Sequence, residues 1–138
     1  MRKIRNPFRD TENDGCFACG ADNACGLRME FFEDGEDVIC TWEPRPEFMG
    51  YGDILHGGIQ STLVDEIAAW AVFVKLSTGG VTKSIELSYL KPLRTSGGAI
   101  TVRARLPESD GRIARVPVEL ENAEGAICTQ GTVIYRVF

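Results

Sequence analysis

The stretch Leu55–Leu76, LHGGIQSTLVDEIAAWAVFVKL, decides how this chain is read. It opens with the only histidine, His56, followed by Gly57 and Gly58. From Ile59 it runs for about five turns without glycine or proline. Ile59, Leu63, Ile67, Trp70 and Val74 recur at spacings of three and four, while Ala68, Ala71, Val72 and Phe73 fill most of the remaining circumference. A helix apolar nearly all round is one that other structure covers on most sides. Two acids, Asp65 and Glu66, stand in its middle. A carboxylate there loses hydration and must find partners or change its ionisation.

The helix start is also unusual. Two glycines leave backbone amides unshielded by side chains, and the first amides of a helix lack intrahelical acceptors. The helix dipole adds partial positive charge at that end. Such a place can hold an oxyanion or polarise a carbonyl. It can equally be a glycine turn that lets a buried helix begin. Asp65 lies seven residues beyond Gly58, about 10 Å further along the axis. One helix cannot easily bring its own Asp65 to its own first amides. Two antiparallel copies about a two-fold axis can, so a site using both elements is expected to be shared between subunits.

His56-Gly57-Gly58, four residues, Leu63, one residue, Asp65 resembles the HGGxxxxLxD signature of the hotdog-fold acyl-CoA thioesterases. Within that superfamily the likeness is to the phenylacetate-degradation type and to 4-hydroxybenzoyl-CoA-thioesterase-like proteins. It continues through Gly80-Val81-Thr82 and Tyr89-Leu90-Lys91-Pro92. Upstream it includes Cys16-Phe17-Ala18-Cys19-Gly20 with Asn23, Gly26 and Leu27.

The resemblance implies a catalytic role for Asp65, as general base or nucleophile. It implies that Gly57 and Gly58, and Gly58 above all, polarise the thioester carbonyl. It gives Thr82 a hydroxyl that positions water or carboxylate, and His56 a part in ordering the helix start. Glu66 is the rival acid, but neighbouring helical positions point about 100° apart, so the two acids do not share a pocket. In some relatives an Asn or Gln stands six residues before the histidine; here that residue is Gly50. Arg112, after a turn glycine, is the candidate for coenzyme A phosphates. No cofactor is implied beyond the coenzyme A of the substrate, and no metal takes part in catalysis. The alternatives are a hotdog hydratase or dehydratase of acyl thioesters, and a non-catalytic acyl-CoA-binding or sensing dimer.

Bulk properties agree with this. With 138 residues the chain is expected to be one domain, 1–138, with one core. The net charge of −5 argues against a general nucleic-acid binder. No uncharged apolar run reaches membrane-spanning length, so no membrane partner is expected. The basic opening MRKIRNPFRD has no apolar core behind it; a cytoplasmic protein is expected. Cys16, Cys19, Cys25, Cys40 and Cys128 make an odd count. Cys16-x-x-Cys19 followed by Cys25 invites a zinc reading, but a fourth ligand would have to come from Cys40, Cys128, a carboxylate or His56. Reduced thiols in a glycine-rich turn, without metal, are expected.

The remaining chain reads as strands. Residues 1–15 are expected to lie loosely on the surface. Leu27–Glu33 and Val38–Trp42 form a hairpin, and residues 43–55 are an irregular connection. After the helix come Val81–Leu90, Ala99–Leu106, Arg112–Glu121 and Ala126–Val137. Pro117 is expected to bulge or break its strand. The result is an α+β fold, an antiparallel sheet of about six strands wrapped round one central helix.

Overall fold

The computed structural model describes residues 1–138. One helix, α1, spans Gly57–Leu76. It begins at His56, whose side chain caps it, and ends at Ser77 in the left-handed conformation, φ 56°. The strands are β1 (Arg2–Lys3), β2 (Phe32–Asp34), β3 (Asp37–Trp42), β4 (Gly80–Tyr89), β5 (Ile100–Ala104), β6 (Glu108–Ser109), β7 (Ile113–Glu121) and β8 (Ile127–Val137). They form one antiparallel sheet in the order β1-β2-β3-β5-β7-β8-β4, with β6 added beside β7. The sheet curls round α1, which buries Leu63, Val64, Ile67, Ala68, Ala71 and Val72 completely or nearly so. A stripe through Thr62, Asp65, Ala69 and Phe73 stays partly open, and Phe73 is 48% exposed.

The sheet has eight strands rather than about six, because β1 and β6 are two-residue strands. Several expectations are corrected in detail. Only Phe32 and Glu33 of the Leu27–Glu33 segment join the ladder, as the start of β2. Leu27, Met29 and Phe31 nevertheless alternate into the core at 1–2% exposure. Their backbone bonds go to the cysteine turn instead, Leu27 N to Phe17 O (2.8 Å) and Met29 N to Ala18 O (2.9 Å). The N-terminal arm is not loose: β1 pairs with β2, and Ile4 N donates to Phe31 O. Asp14, 1% exposed, ties the arm together by accepting from the amides of Asp10 and Ala21.

Pro117 does not break β7, and the only register shift on that ladder lies at Leu120/Glu121. The N and O of an antiparallel residue point to one side. Pro117 O accepts from Arg105 N just past the end of β5, whose ladder starts at Val118, while β6 pairs only as far as Arg115. The missing N–H therefore falls in the gap between two strands, where little is lost.

Four carboxyls are held below their ordinary range. Lys75 and then Arg2 do this to Glu33, and Arg94 and then Ser96 to Asp53. The amides of Ile113 and Arg112 act on Asp110, and that of Ala21 leads at Asp14. A depressed carboxyl contributes stability above its unfolded value, near pH 4, and loses it as pH falls through the folded value. Urea midpoints are therefore expected to hold from pH 7 to about 5 and to fall below about pH 4. A midpoint that rises on acidification would contradict these pairings.

Candidate active site

The loop before α1 fixes its first turn. Gly50 N donates to Ile54 O, His56 N to Phe48 O and Leu55 N to Leu93 O, all within 2.9 Å. Gln60, 3% exposed, locks the turn from within: its amide donates to Leu55 O and it accepts from Thr129 Oγ1 of β8. His56 Nδ1 accepts from Gly58 N at 2.9 Å. That nitrogen is then unprotonated and the imidazole acts as a cap. The bond occupies the amide expected to act as the main polariser. The Gly57 amide has no acceptor within the chain, and of the first helical amides only it and that of Ile59 are left free. Tyr89 Oη donates to the Gly57 carbonyl at 3.0 Å, placing an aromatic ring beside it.

Two turns on, Asp65 is gripped from one side. Thr82 Oγ1 donates to its Oδ1 at 2.7 Å, and Tyr135 Oη reaches the same oxygen at 2.7 Å and the Asp65 carbonyl at 2.5 Å. Thr82 and Tyr135 face each other across the β4–β8 ladder, beside the irregularity at Thr82/Ser84. A single cross-strand pair thus supplies both hydroxyls. Oδ2 receives no donor from the protein. Burial, foremost, and the Asp65 charge raise the pKa of the Tyr135 phenol, so it remains a donor at every working pH. Sequence reasoning missed Tyr135. The signal was a tyrosine in the inward phase of a strand, whose hydroxyl must find a partner when buried.

Glu66 points elsewhere, as neighbouring helical positions require. It accepts from Trp70 Nε1 at 3.1 Å and lies 3.8 Å from Cys16 Sγ. Arg112 lines a cavity of about 520 Å³ together with Thr82, Lys83, Asp110 and Arg136. Asp110 is engaged by the amides of Arg112 and Ile113. Gly50 lies against His56; a Cβ there would stand 3.3 Å from His56 Cα.

One helix wrapped by an antiparallel sheet is a hotdog fold, and the hydroxyl-held carboxylate two turns from a glycine-rich helix start makes the open side of the helix the candidate site. The thioesterase superfamily model matches residues 52–129, and the chain belongs to that family. It is 32% identical over 118 residues to a provisionally named esterase of Saccharolobus solfataricus, covering 83% of this chain and 77% of that protein. It is 30% identical over 96 residues to human acyl-coenzyme A thioesterase 13, covering 68% of each. Among solved structures, a Streptococcus mutans protein bound to acetyl-CoA superposes with a TM-score of 0.68 at 24% identity, covering 80% of this chain and 88% of that one. No helix is long and apolar enough to cross a membrane.

Proposed function

We propose that this protein hydrolyses an acyl-CoA thioester to the free acid and coenzyme A, with Asp65 as the catalytic carboxylate. The observation that carries this reading is the asymmetric grip on Asp65: Oδ1 is fixed by Thr82 and Tyr135, and Oδ2 is left for the reaction. Oδ2 either takes a proton from the attacking water or attacks the carbonyl itself. The carbonyl oxygen sits on the Gly57 amide, where negative charge develops. When Oδ2 acts as base, the C–S bond breaks and the thiolate leaves with the proton that the carboxyl took from water. When Oδ2 attacks, the C–S bond breaks to leave an acyl-Asp65 anhydride, and the thiolate takes a proton from water. Water then hydrolyses the anhydride to the free acid and restores the carboxylate. No metal takes part in this chemistry. Lys83, Arg112 and Arg136 offer charge to the phosphates of the coenzyme.

The site is shared between two copies of the chain. Gly57 and Asp65 lie about 12 Å apart along one straight helix, at ~1.5 Å per residue. The long margin strand β4 is exposed at Val81, Ile85 and Tyr89 and pairs only with β8. Sedimentation is expected to give a dimer or a dimer of dimers. A stable, active monomer at micromolar concentration would refute the shared site.

Gly50, which brings no side-chain amide to the site, favours a second reading, in which the dimer binds acyl-CoA without turning it over. A panel of acyl-CoAs assayed by thiol release separates the two. Saturable release from at least one member is expected. Binding by calorimetry with no release across the panel would establish the binding module instead.

A further inference from the structure

We propose that Cys16, Cys19 and Glu66 form a binding site for a zinc-type divalent cation, with water or a small solute as fourth ligand. The inference is independent of the hydrolase reading, because Glu66 and Asp65 face different surroundings. Both Sγ atoms and a Glu66 carboxylate oxygen lie within 4.8 Å of one another. Cys16 Sγ and Glu66 Oε1 are 3.8 Å apart. Tetrahedral donors about 2.3 Å from a zinc ion stand about 3.8 Å from each other. The spread is therefore small enough for rotation of the two cysteine side chains to close it.

The frame is already rigid. Gly20 N donates to Cys16 O at 2.8 Å, and a Cβ at Gly20 would meet Asp14 O and Cys16 N at 2.4 and 2.5 Å. Only glycine lets the turn close this tightly. The buried Asp14 carboxylate holds the turn from behind through the amides of Asp10 and Ala21. Glu66 rides on α1 and is oriented by the Trp70 indole N–H, the kind of outer contact that fixes a metal ligand. No lysine or arginine pairs with Glu66; its partners are Trp70 and Cys16. Two thiols and a carboxylate suit zinc better than magnesium or calcium. The fourth position opens on a cavity of about 450 Å³ lined by Phe8, Trp70 and Phe73. The sequence pointed away from a metal because Cys16, Cys19 and Cys25 lacked a convincing fourth ligand; in the structure Cys25 is not among the clustered donors, and the third is Glu66, fifty residues downstream of Cys16.

The test uses the full chain, stripped of metal under reducing conditions and titrated with zinc against a chromophoric chelator. Cobalt(II) serves as the optical probe. One zinc per chain is expected, with release of about two protons as the thiols ionise. Cobalt should give a sulfur-to-metal charge-transfer band that Cys16→Ser and Cys19→Ser abolish. Glu66→Gln keeps the Trp70 bond and the fold, and should weaken zinc clearly. Trp70→Phe, which removes only the outer contact, should cost about 10- to 100-fold in affinity. Thermal melts of each variant identify any that fail to fold. No zinc uptake by the wild-type chain overturns the proposal. Unchanged affinity in a folded Glu66→Gln variant also overturns it, reducing the site to a bare thiol pair.

Discussion

Asp65→Asn is expected to lower thioester hydrolysis by about two to four orders of magnitude, the usual range for a lost general base. That is about 3 to 5 kcal/mol of barrier at ~1.4 kcal/mol per tenfold. The amide matches the carboxyl in size, and its oxygen can still accept from Thr82 and Tyr135. The fold and substrate binding should therefore survive while proton transfer or attack at Oδ2 is lost. Glu66→Gln is the control, because its carboxylate faces Trp70 and Cys16. Steady-state thiol release by the two variants beside wild type decides the matter. A dead Glu66→Gln with an active Asp65→Asn would reverse the assignment. Wild-type rates in both would remove the chemistry from α1.

Gly131→Ala is expected to destabilise the fold by about 3 kcal/mol, the upper end of the range for overfilling a packed site. Gly131 lies on β8 opposite Leu87 of β4 and Val118 of β7. A Cβ there would stand 1.8 Å from Glu86 O and 2.9 Å from Leu87 Cα. These are backbone atoms of the neighbouring strand, so no side chain can swing aside. Strongly curved sheets place glycine where one strand leans onto the next. The substitution pushes β4 away from β8, and that same pair carries Thr82 and Tyr135. Urea unfolding should show the loss, and residual activity in the folded fraction should drop with it. A midpoint near that of wild type would mean that the two strands are not this close.

The features legible in the sequence were local. The helix span, its histidine start and the phase of Leu27, Met29 and Phe31 all follow from spacing within a few residues. The family pattern implies only a Thr82 hydroxyl that positions water or carboxylate; in the structure that hydroxyl donates to Asp65 Oδ1. What escaped depends on distant contacts. Tyr135 lies 70 residues from Asp65, and Cys16 lies 50 from Glu66. No periodicity within a segment encodes such pairs; the sheet register sets them. Pro117 misled for the same reason. A missing donor costs little or much according to what lies beside it, and here two strands stop short on either side. The Gly58 amide was read as free because the His56 side chain was not credited as a cap.

The two margins of the sheet are unequal. One is β4, ten residues long with apolar side chains exposed along it. The other is β1, two residues long, Arg2 and Lys3. A long bare margin invites addition of further strands, whereas a short charged one discourages it. Antiparallel joining of two β4 strands about a two-fold axis would consume the receptive margin of both copies at once. The merged sheet would then present only its blunt ends, and growth along the strand-stacking direction would stop at two chains.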